Sequence, residues 1–268
     1  EINNLQIDRD TTILEMTEKK ANIVNRQLIG GANLQKFDEN GKVKMSYGDF
    51  LNIFPIYDLD IAVYGVMVAS SMEEMETELP CDECNKRYTT KYNMKTLMTM
   101  NGLTDEFKGR FNDILKNKSN IAHLKKMYKE NNQTYEVESP ITKNIYVINH
   151  PSIARAIGLY QNLDMESEID TYFSPIIQFL DKILIYDNEE DDYIEVEDDE
   201  HAEMFAAVRT LPQTELNLLG RFIAPMVYQP VFTLKSKCEH CGHKMESTLA
   251  TNDLVFLATQ GSPVGIRL

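Results

Sequence analysis

The sequence predicts an α+β fold, in which helices plus β-hairpins form two pseudo-repeated modules joined at a four-cysteine zinc site. Three observations lead to this prediction. Apolar residues recur at helical spacing, two stretches have the pattern of hairpins around tight turns, and the only four cysteines fall as two C-x-x-C pairs. We place the modules at 1–130, with the first pair, and 131–268, with the second pair, a helical insertion and an acidic loop.

Four elements are predicted in the first module. They are a helix over 10–29, a hairpin over 33–47, an apolar element over 57–71 and a helix over 104–130. Thr12 and Glu15 form a capping box for the first helix, and Asn40-Gly41 suits the hairpin turn. The apolar element predicts a helix, or a helix that runs into a strand, leading to Cys81.

The second module is predicted to begin with a hairpin that has a Ser-Pro turn. In order, its elements are that hairpin over 134–152, helices over 151–161 and 169–183, an acidic segment over 187–200, helices over 201–211 and 212–219, and a strand over 226–237. The acidic segment has ten carboxylates in fourteen residues and no base, which favours a solvated, mobile loop. Docking to a basic partner and an ion site stay open, although Asp192 stands where a calcium loop requires glycine.

The order of elements around the two cysteine pairs repeats. An apolar element begins 23 residues before Cys81, and another begins 24 residues before Cys238. Each pair is followed by a polar β-like stretch and then by an apolar segment. We interpret this order as a degenerate internal duplication, enlarged in its second copy by a helical insertion.

Two C-x-x-C turns supply the four soft ligands that a tetrahedral zinc ion needs. We therefore predict one structural zinc held by Cys81, Cys84, Cys238 and Cys241, a closed set that leaves no position for substrate. Bases near the pairs would offset the charge of the zinc–thiolate centre: Lys86, Arg87, Lys235, Lys237 and Lys244. Three alternatives stay open: two separate sites, the second with His240 or His243; no metal; and a redox pair, which lacks a βαβ context.

Composition and the remaining motifs bound the function. The net charge of −15 argues against nucleic acid as the main partner, because phosphate binding needs a cationic face. No segment approaches about 18 uninterrupted apolar residues, so we expect no membrane span. The start of the chain lacks a signal-peptide layout, and the free-thiol pairs fit a reducing compartment. There is no Gly-rich phosphate loop, G-x-S-x-G or H-E-x-x-H, and we expect no enzymatic activity.

Residues 134–258 resemble the baseplate hub and baseplate initiator proteins of contractile-tailed bacteriophages. The resemblance rests on the hairpin from Ser139-Pro140 to Ile145, with Ser and Pro in reversed order, on the Leu-rich helix and strand, and on Cys238, Cys241 and Gly242 as C-x-x-C-G. It implies a virion protein of the tail baseplate, assembled in the host cytoplasm. Its partners would be other phage baseplate and tail proteins in a hetero-oligomeric assembly.

A zinc-ribbon nucleic-acid or transcription-associated module is the alternative function. The lysines and arginine beside the cysteine pairs support it, and the net charge of −15 opposes it.

Overall fold

Helices and antiparallel hairpins alternate along the chain, which confirms the α+β class. The structure is a computed structural model that describes residues 11–29, 35–38, 41–69, 74–101, 105, 109, 113, 116, 134–162, 167–197 and 202–249. The described residues form two units. The first unit runs to Asn101 and resumes at Gln229, and the second unit lies between them in sequence.

The first unit begins with helices and short hairpins. Its elements up to Asn101 are α1 (Ile13–Val24), a π-helical turn (Asn25–Ile29), β1 (Gln35–Asp38), β2 (Gly41–Lys44), α2 (Tyr47–Ile53), α3 (Ile56–Ala69), β3 (Glu74–Pro80), β4 (Arg87–Asn93), a 3₁₀ turn (Met94–Thr96) and β5 (Met98–Asn101). The Thr12–Glu15 capping box and the hairpin within 33–47 are both confirmed. Lys20 of α1 is buried, and its Nζ lies 2.6 Å from Asp60 Oδ1 of α3.

The second unit is a four-stranded antiparallel sheet with helices. Its elements are β6 (Tyr135–Glu138), β7 (Ile145–Ile148), α4 (Ile153–Asn162), α5 (Glu168–Ile177), β8 (Leu180–Asp187), β9 (Asp192–Glu197), α6 (Ala202–Thr210), α7 (Gln213–Ile223) and a 3₁₀ turn (Ala224–Met226). The sheet order is β6-β7-β8-β9, with every pair antiparallel. The hairpin predicted within 134–152 is confirmed as β6–β7.

The chain then returns to the first unit through β10 (Gln229–Lys237) and β11 (Lys244–Leu249). β10 pairs with both β11 and β5, and this gives a sheet of order β11-β10-β5. The two units therefore divide the chain differently from the predicted modules 1–130 and 131–268, because the last strands pair with a strand of the first half.

The apolar element predicted over 57–71 is a helix, α3, as far as Ala69. Its apolar side faces the core of the first unit, where Leu59, Val63 and Met67 are buried. The ring of Tyr64 lies 4.9 Å from that of Phe232 on β10, so this helix packs against the strand that leads to Cys238. The helix predicted over 104–130 lies mostly outside the described residues. Within the described ranges, no helix combines the length and apolarity needed to cross a membrane.

The helix predicted over 169–183 is wrong beyond residue 177. α5 ends at Ile177, and β8 begins at Leu180. The guanidinium of Arg155 on α4 donates from Nε to the carbonyl of Gln178 at 2.8 Å, and from an Nη to the carbonyls of Ile177 and Leu180. A distant side chain thus binds the carbonyls that a continuing helix would use, a contact that local sequence does not reveal.

Arg155→Lys is expected to lower the free energy of unfolding by about 2–3 kcal/mol, because one ammonium group cannot replace a planar fork that serves several part-buried carbonyls. Urea denaturation followed by far-UV circular dichroism measures this loss. Arg221→Lys on the exposed side of α7 is the matched control, and we expect it to change stability by less than about 0.5 kcal/mol. Equal losses of stability for the two variants would show that Arg155 does not stabilise the protein through these carbonyls.

The acidic segment 187–200 is largely a hairpin, so the prediction of a mobile loop is wrong for its described part. Residues 188–191 form the turn, and β9 occupies Asp192–Glu197. The rings of Tyr193 and Tyr186 on β8 lie edge to face at 5.4 Å, and Lys182 Nζ lies 2.6 Å from Glu195 Oε1. Ile194 and Val196 alternate with glutamates, and together with Tyr193 they give a strand pattern that outweighs the charge of the segment. Residues 198–200 lie outside the described residues.

Candidate metal centre

Two hairpins of the first unit bring the cysteines together. β3 pairs with β4 from Glu74↔Asn93 to Pro80↔Arg87, and β10 pairs with β11 from Phe232↔Leu249 to Lys237↔Lys244. Each hairpin closes through a six-residue loop, 81–86 or 238–243, whose first and fourth residues are the cysteines. Tyr88 Oη lies 2.6 Å from Ser236 Oγ, a contact that joins the two hairpins just behind the loops.

The two loops share one backbone conformation. The N–H of the first cysteine donates to the carbonyl of the sixth residue, at 3.0 Å for Cys81 and 2.8 Å for Cys238. The fifth residue has a positive φ, 55° at Asn85 and 77° at Gly242. Asparagine and glycine are the residues that adopt this conformation most readily. Both loops therefore have the tight turn expected of a knuckle that points two sulfurs at one position.

The four sulfurs form one cluster. Cys81 Sγ lies 3.6 Å from Cys241 Sγ, and Cys84 Sγ lies 3.7 Å from Cys238 Sγ. All four lie within 4.8 Å of one another. A zinc ion with ordinary Zn–S bonds of about 2.3 Å needs sulfurs about 3.8 Å apart at the corners of a tetrahedron. The spacing of the thiols therefore fits one metal ion shared by both loops.

Backbone N–H groups and neighbouring thiols set the protonation of the second loop. Burial raises the pKa of the Cys238 thiol, but hydrogen bonds from the backbones of Cys241 and His240 and from neighbouring thiols lower it to about 6. The N–H of His243 lowers the pKa of Cys241, but burial and the other three thiols raise it to about 12. Backbone N–H groups of the second loop therefore favour the thiolate form of Cys238, which is the form that binds a metal.

The predicted bases lie around the loops on the surface. Arg87 Nε is 3.8 Å from Glu78, and Lys235 Nζ is 3.6 Å from Glu246. Lys237 and Lys244 stand directly opposite each other at the mouth of the second loop. Like charges in that position repel. The anionic charge of a metal–tetrathiolate centre beside them would offset this repulsion.

The two histidines beside Cys241 are not part of the sulfur cluster. Among the described residues, that cluster holds only the four cysteines. His240 Nε2 instead lies 2.9 Å from the carbonyl oxygen of Arg87 and so connects the second loop to the first hairpin. Sequence reasoning missed this bridge and the Tyr88–Ser236 contact, because their residues are about 150 positions apart in the chain.

His150, in the second unit, has its pKa lowered by burial.

Gly242→Ala is expected to destabilise the zinc-bound protein by about 1 kcal/mol, since a Cβ disfavours the left-handed conformation. A Cβ there would meet Lys237 Cε at 3.7 Å, an ordinary contact, so the cost comes from the backbone. Chemical denaturation in excess zinc measures it. Gly220→Ala within α7 is the control: its Cβ would meet nothing within 4 Å, and helix propensity predicts a small gain. A gain at both positions would contradict the assigned loop conformation.

Comparisons with protein-family models, with curated proteins and with solved structures return no match for this chain.

Proposed function

We propose that this chain is a non-enzymatic structural protein stabilised by one zinc ion, and that it acts in the assembly of a contractile phage tail baseplate. The observation that carries the metal proposal is the cluster of four thiols within 4.8 Å on two knuckle loops. We infer that the metal is zinc. Zinc binds four thiolates in a tetrahedron and has no redox chemistry, which suits a structural site.

The same ligand set argues for a structural role. Four protein sulfurs fill all four positions of a tetrahedral ion, so neither water nor substrate has a place on the metal. The ion would hold two hairpins that are about 150 residues apart in the sequence, those of Cys81 and Cys238. Its contribution would therefore be to the folding of the first unit.

Elemental analysis of the purified full chain tests the metal proposal. We expect about one zinc per chain, bound tightly enough to survive gel filtration, as is typical of closed structural sites. A folded protein that contains no metal, and takes up none from added zinc, would contradict the proposal.

The assembly role rests on the resemblance of residues 134–258 to baseplate hub and initiator proteins. The second unit has exposed apolar side chains that other proteins could contact, among them Ile141, Tyr172 and Ile194. Co-expression with the tail proteins encoded by neighbouring genes tests this role. We expect a stable complex with at least one of them on gel filtration. Failure to bind any of them, under conditions where they bind one another, would contradict it.

A zinc-ribbon module that binds nucleic acid is the second proposal. The bases beside the knuckles favour it, but two of them face carboxylates: Arg87 with Glu78 at 3.8 Å and Lys235 with Glu246 at 3.6 Å. These pairings reduce the uncompensated positive charge that phosphate binding requires. Salt-dependent binding of duplex DNA at physiological ionic strength would favour this alternative over the assembly role.

A further inference from the structure

Four loops of this chain, two in each unit, share a distinctive backbone feature. Each is a six-residue segment at the turn of a hairpin: 81–86, 139–144, 187–192 and 238–243, of which the third includes the last residue of β8 and the first residue of β9. The fifth residue of each has a positive φ, namely Asn85 (55°), Lys143 (61°), Asp191 (53°) and Gly242 (77°). Among the described residues, these four are the ones with a positive φ. The left-handed fifth residue of the cysteine loops therefore recurs in the second unit, where the loops carry no cysteine.

Loop 139–144 matches the cysteine loops bond by bond. Its first N–H, from Ser139, donates to the carbonyl of its sixth residue at 2.8 Å, as in both cysteine loops. Its fifth N–H, from Lys143, donates back to the carbonyl of Ser139 at 3.0 Å, and the equivalent bonds in the cysteine loops measure 2.8 Å. Loop 139–144 is thus a knuckle in its backbone hydrogen bonds as well as in its torsion angles.

Hydroxyl groups stand where the cysteine loops have thiols. Ser139 occupies the first position, and its Oγ accepts hydrogen bonds from the N–H groups of Ile141 and Thr142, each at 3.2 Å. Thr142 occupies the fourth position, and its Oγ1 accepts from the N–H of Asn144 at 3.3 Å. The third and fourth N–H groups of loop 238–243 bond the Cys238 sulfur in the same way, and its sixth N–H bonds the Cys241 sulfur. Ser139 and Thr142 therefore take the places of metal ligands.

A buried carboxylate lies against this knuckle. Glu215, in the first turn of α7, is 1% exposed. Ser139 Oγ donates to its Oε1 at 2.6 Å, and Tyr146 Oη donates to its Oε2 at 2.6 Å. The carboxylate thus binds the loop through one oxygen and strand β7 through the other. A metal in a cysteine knuckle has a similar task, since it holds the loop to a second element through the atom in the first position.

We propose that loop 139–144 is a metal-free knuckle in which Glu215 takes the place of the metal ion. Its two oxygens hold the loop and β7 to α7, as zinc would hold the two cysteine loops to each other. On this account, Glu215 holds loop 139–144 in position. Because this knuckle contains no metal, we expect a chelator to leave it intact. This proposal is independent of whether the wild-type cysteine centre binds zinc.

The double variant Ser139→Cys/Thr142→Cys in the full chain tests the proposal with zinc as the probe. A true knuckle then presents two thiolates at its first and fourth positions, with the Glu215 carboxylate against the first, and zinc accepts these donors. We expect about one more zinc per chain than in the wild-type protein by elemental analysis after gel filtration. The control Ser139→Cys/Ile141→Cys adds two thiols with the wrong spacing, and we expect no added zinc. Equal uptake by the two variants, or no added zinc in a folded double variant, overturns the proposal.

Hydrogen exchange tests the role of Glu215 without new cysteines. Glu215→Ala is expected to speed exchange of the Ile141 and Thr142 amides by about tenfold or more, because Ser139 loses the acceptor that fixes its hydroxyl. Glu215→Gln keeps one carbonyl oxygen, and we expect it to restore part of the protection. Unchanged exchange at both amides in Glu215→Ala overturns the proposal. This measurement also decides the outcome if the double-cysteine variant fails to fold.

Discussion

Cys81→Ser is expected to abolish tight zinc binding and to unfold the first unit. The serine hydroxyl is a poor zinc ligand, and the remaining three thiolates leave the metal position open. Structural zinc supplies roughly 10 kcal/mol or more of folding free energy in small zinc domains, which exceeds the stability of most single domains. Elemental analysis measures the metal, and near-UV circular dichroism measures the loss of packing. Cys238→Ser is expected to give the same result, because it removes the equivalent ligand of the other loop.

Asp82→Ser is the matched control for these variants. Asp82 is exposed in the same loop and, among the described groups, lies outside the sulfur cluster. We expect this variant to keep its zinc and its fold. If Cys81→Ser folded normally without metal, or retained a full equivalent of tightly bound zinc, the shared four-cysteine site would be contradicted.

Phe232→Ala is expected to lower the free energy of unfolding by about 3–5 kcal/mol, the usual cost of removing a fully buried phenyl ring. Phe232 is 0% exposed at the centre of β10, opposite Leu249 of β11 and Met98 of β5. Its ring also packs on Tyr64 of α3. The substitution leaves a cavity beneath the strand that leads directly to Cys238. Guanidinium denaturation in excess zinc measures the loss.

Phe222→Ala on α7 is the control for that variant. Phe222 is 38% exposed and makes an edge contact with Tyr135 at 6.0 Å. Its removal leaves no sealed cavity, so we expect a clearly smaller loss. Similar losses for Phe222→Ala and Phe232→Ala would show that the core of the first unit is not organised around Phe232.

The α+β class, both predicted hairpins and the two knuckle loops follow from local patterns in the sequence. Alternation around a turn predicts β6–β7, and the i to i+3 spacing of the cysteines predicts knuckle loops. These signals succeed because the interactions that produce them lie within a few residues of one another.

The errors have different causes, and a distant contact decides only the first of them. Arg155 binds the carbonyls at the end of α5, and pattern alone extends that helix into β8. Packing of Tyr193 on Tyr186 supports a strand in the acidic segment that composition describes as a mobile loop. The sequence does not predict that loop 139–144 is a knuckle. Knuckles are recognised by their cysteines, and this loop has hydroxyl groups in those positions.

X-ray absorption at the zinc edge of the purified full chain tests the central claim most directly. One ion held by Cys81, Cys84, Cys238 and Cys241 predicts four sulfur neighbours at about 2.3 Å and no nitrogen or oxygen in the first shell. Two separate sites would instead give a mixture of sulfur with nitrogen or oxygen, with His240 or His243 among the ligands. A mixed first shell, or a folded protein without zinc, would contradict the shared four-cysteine centre.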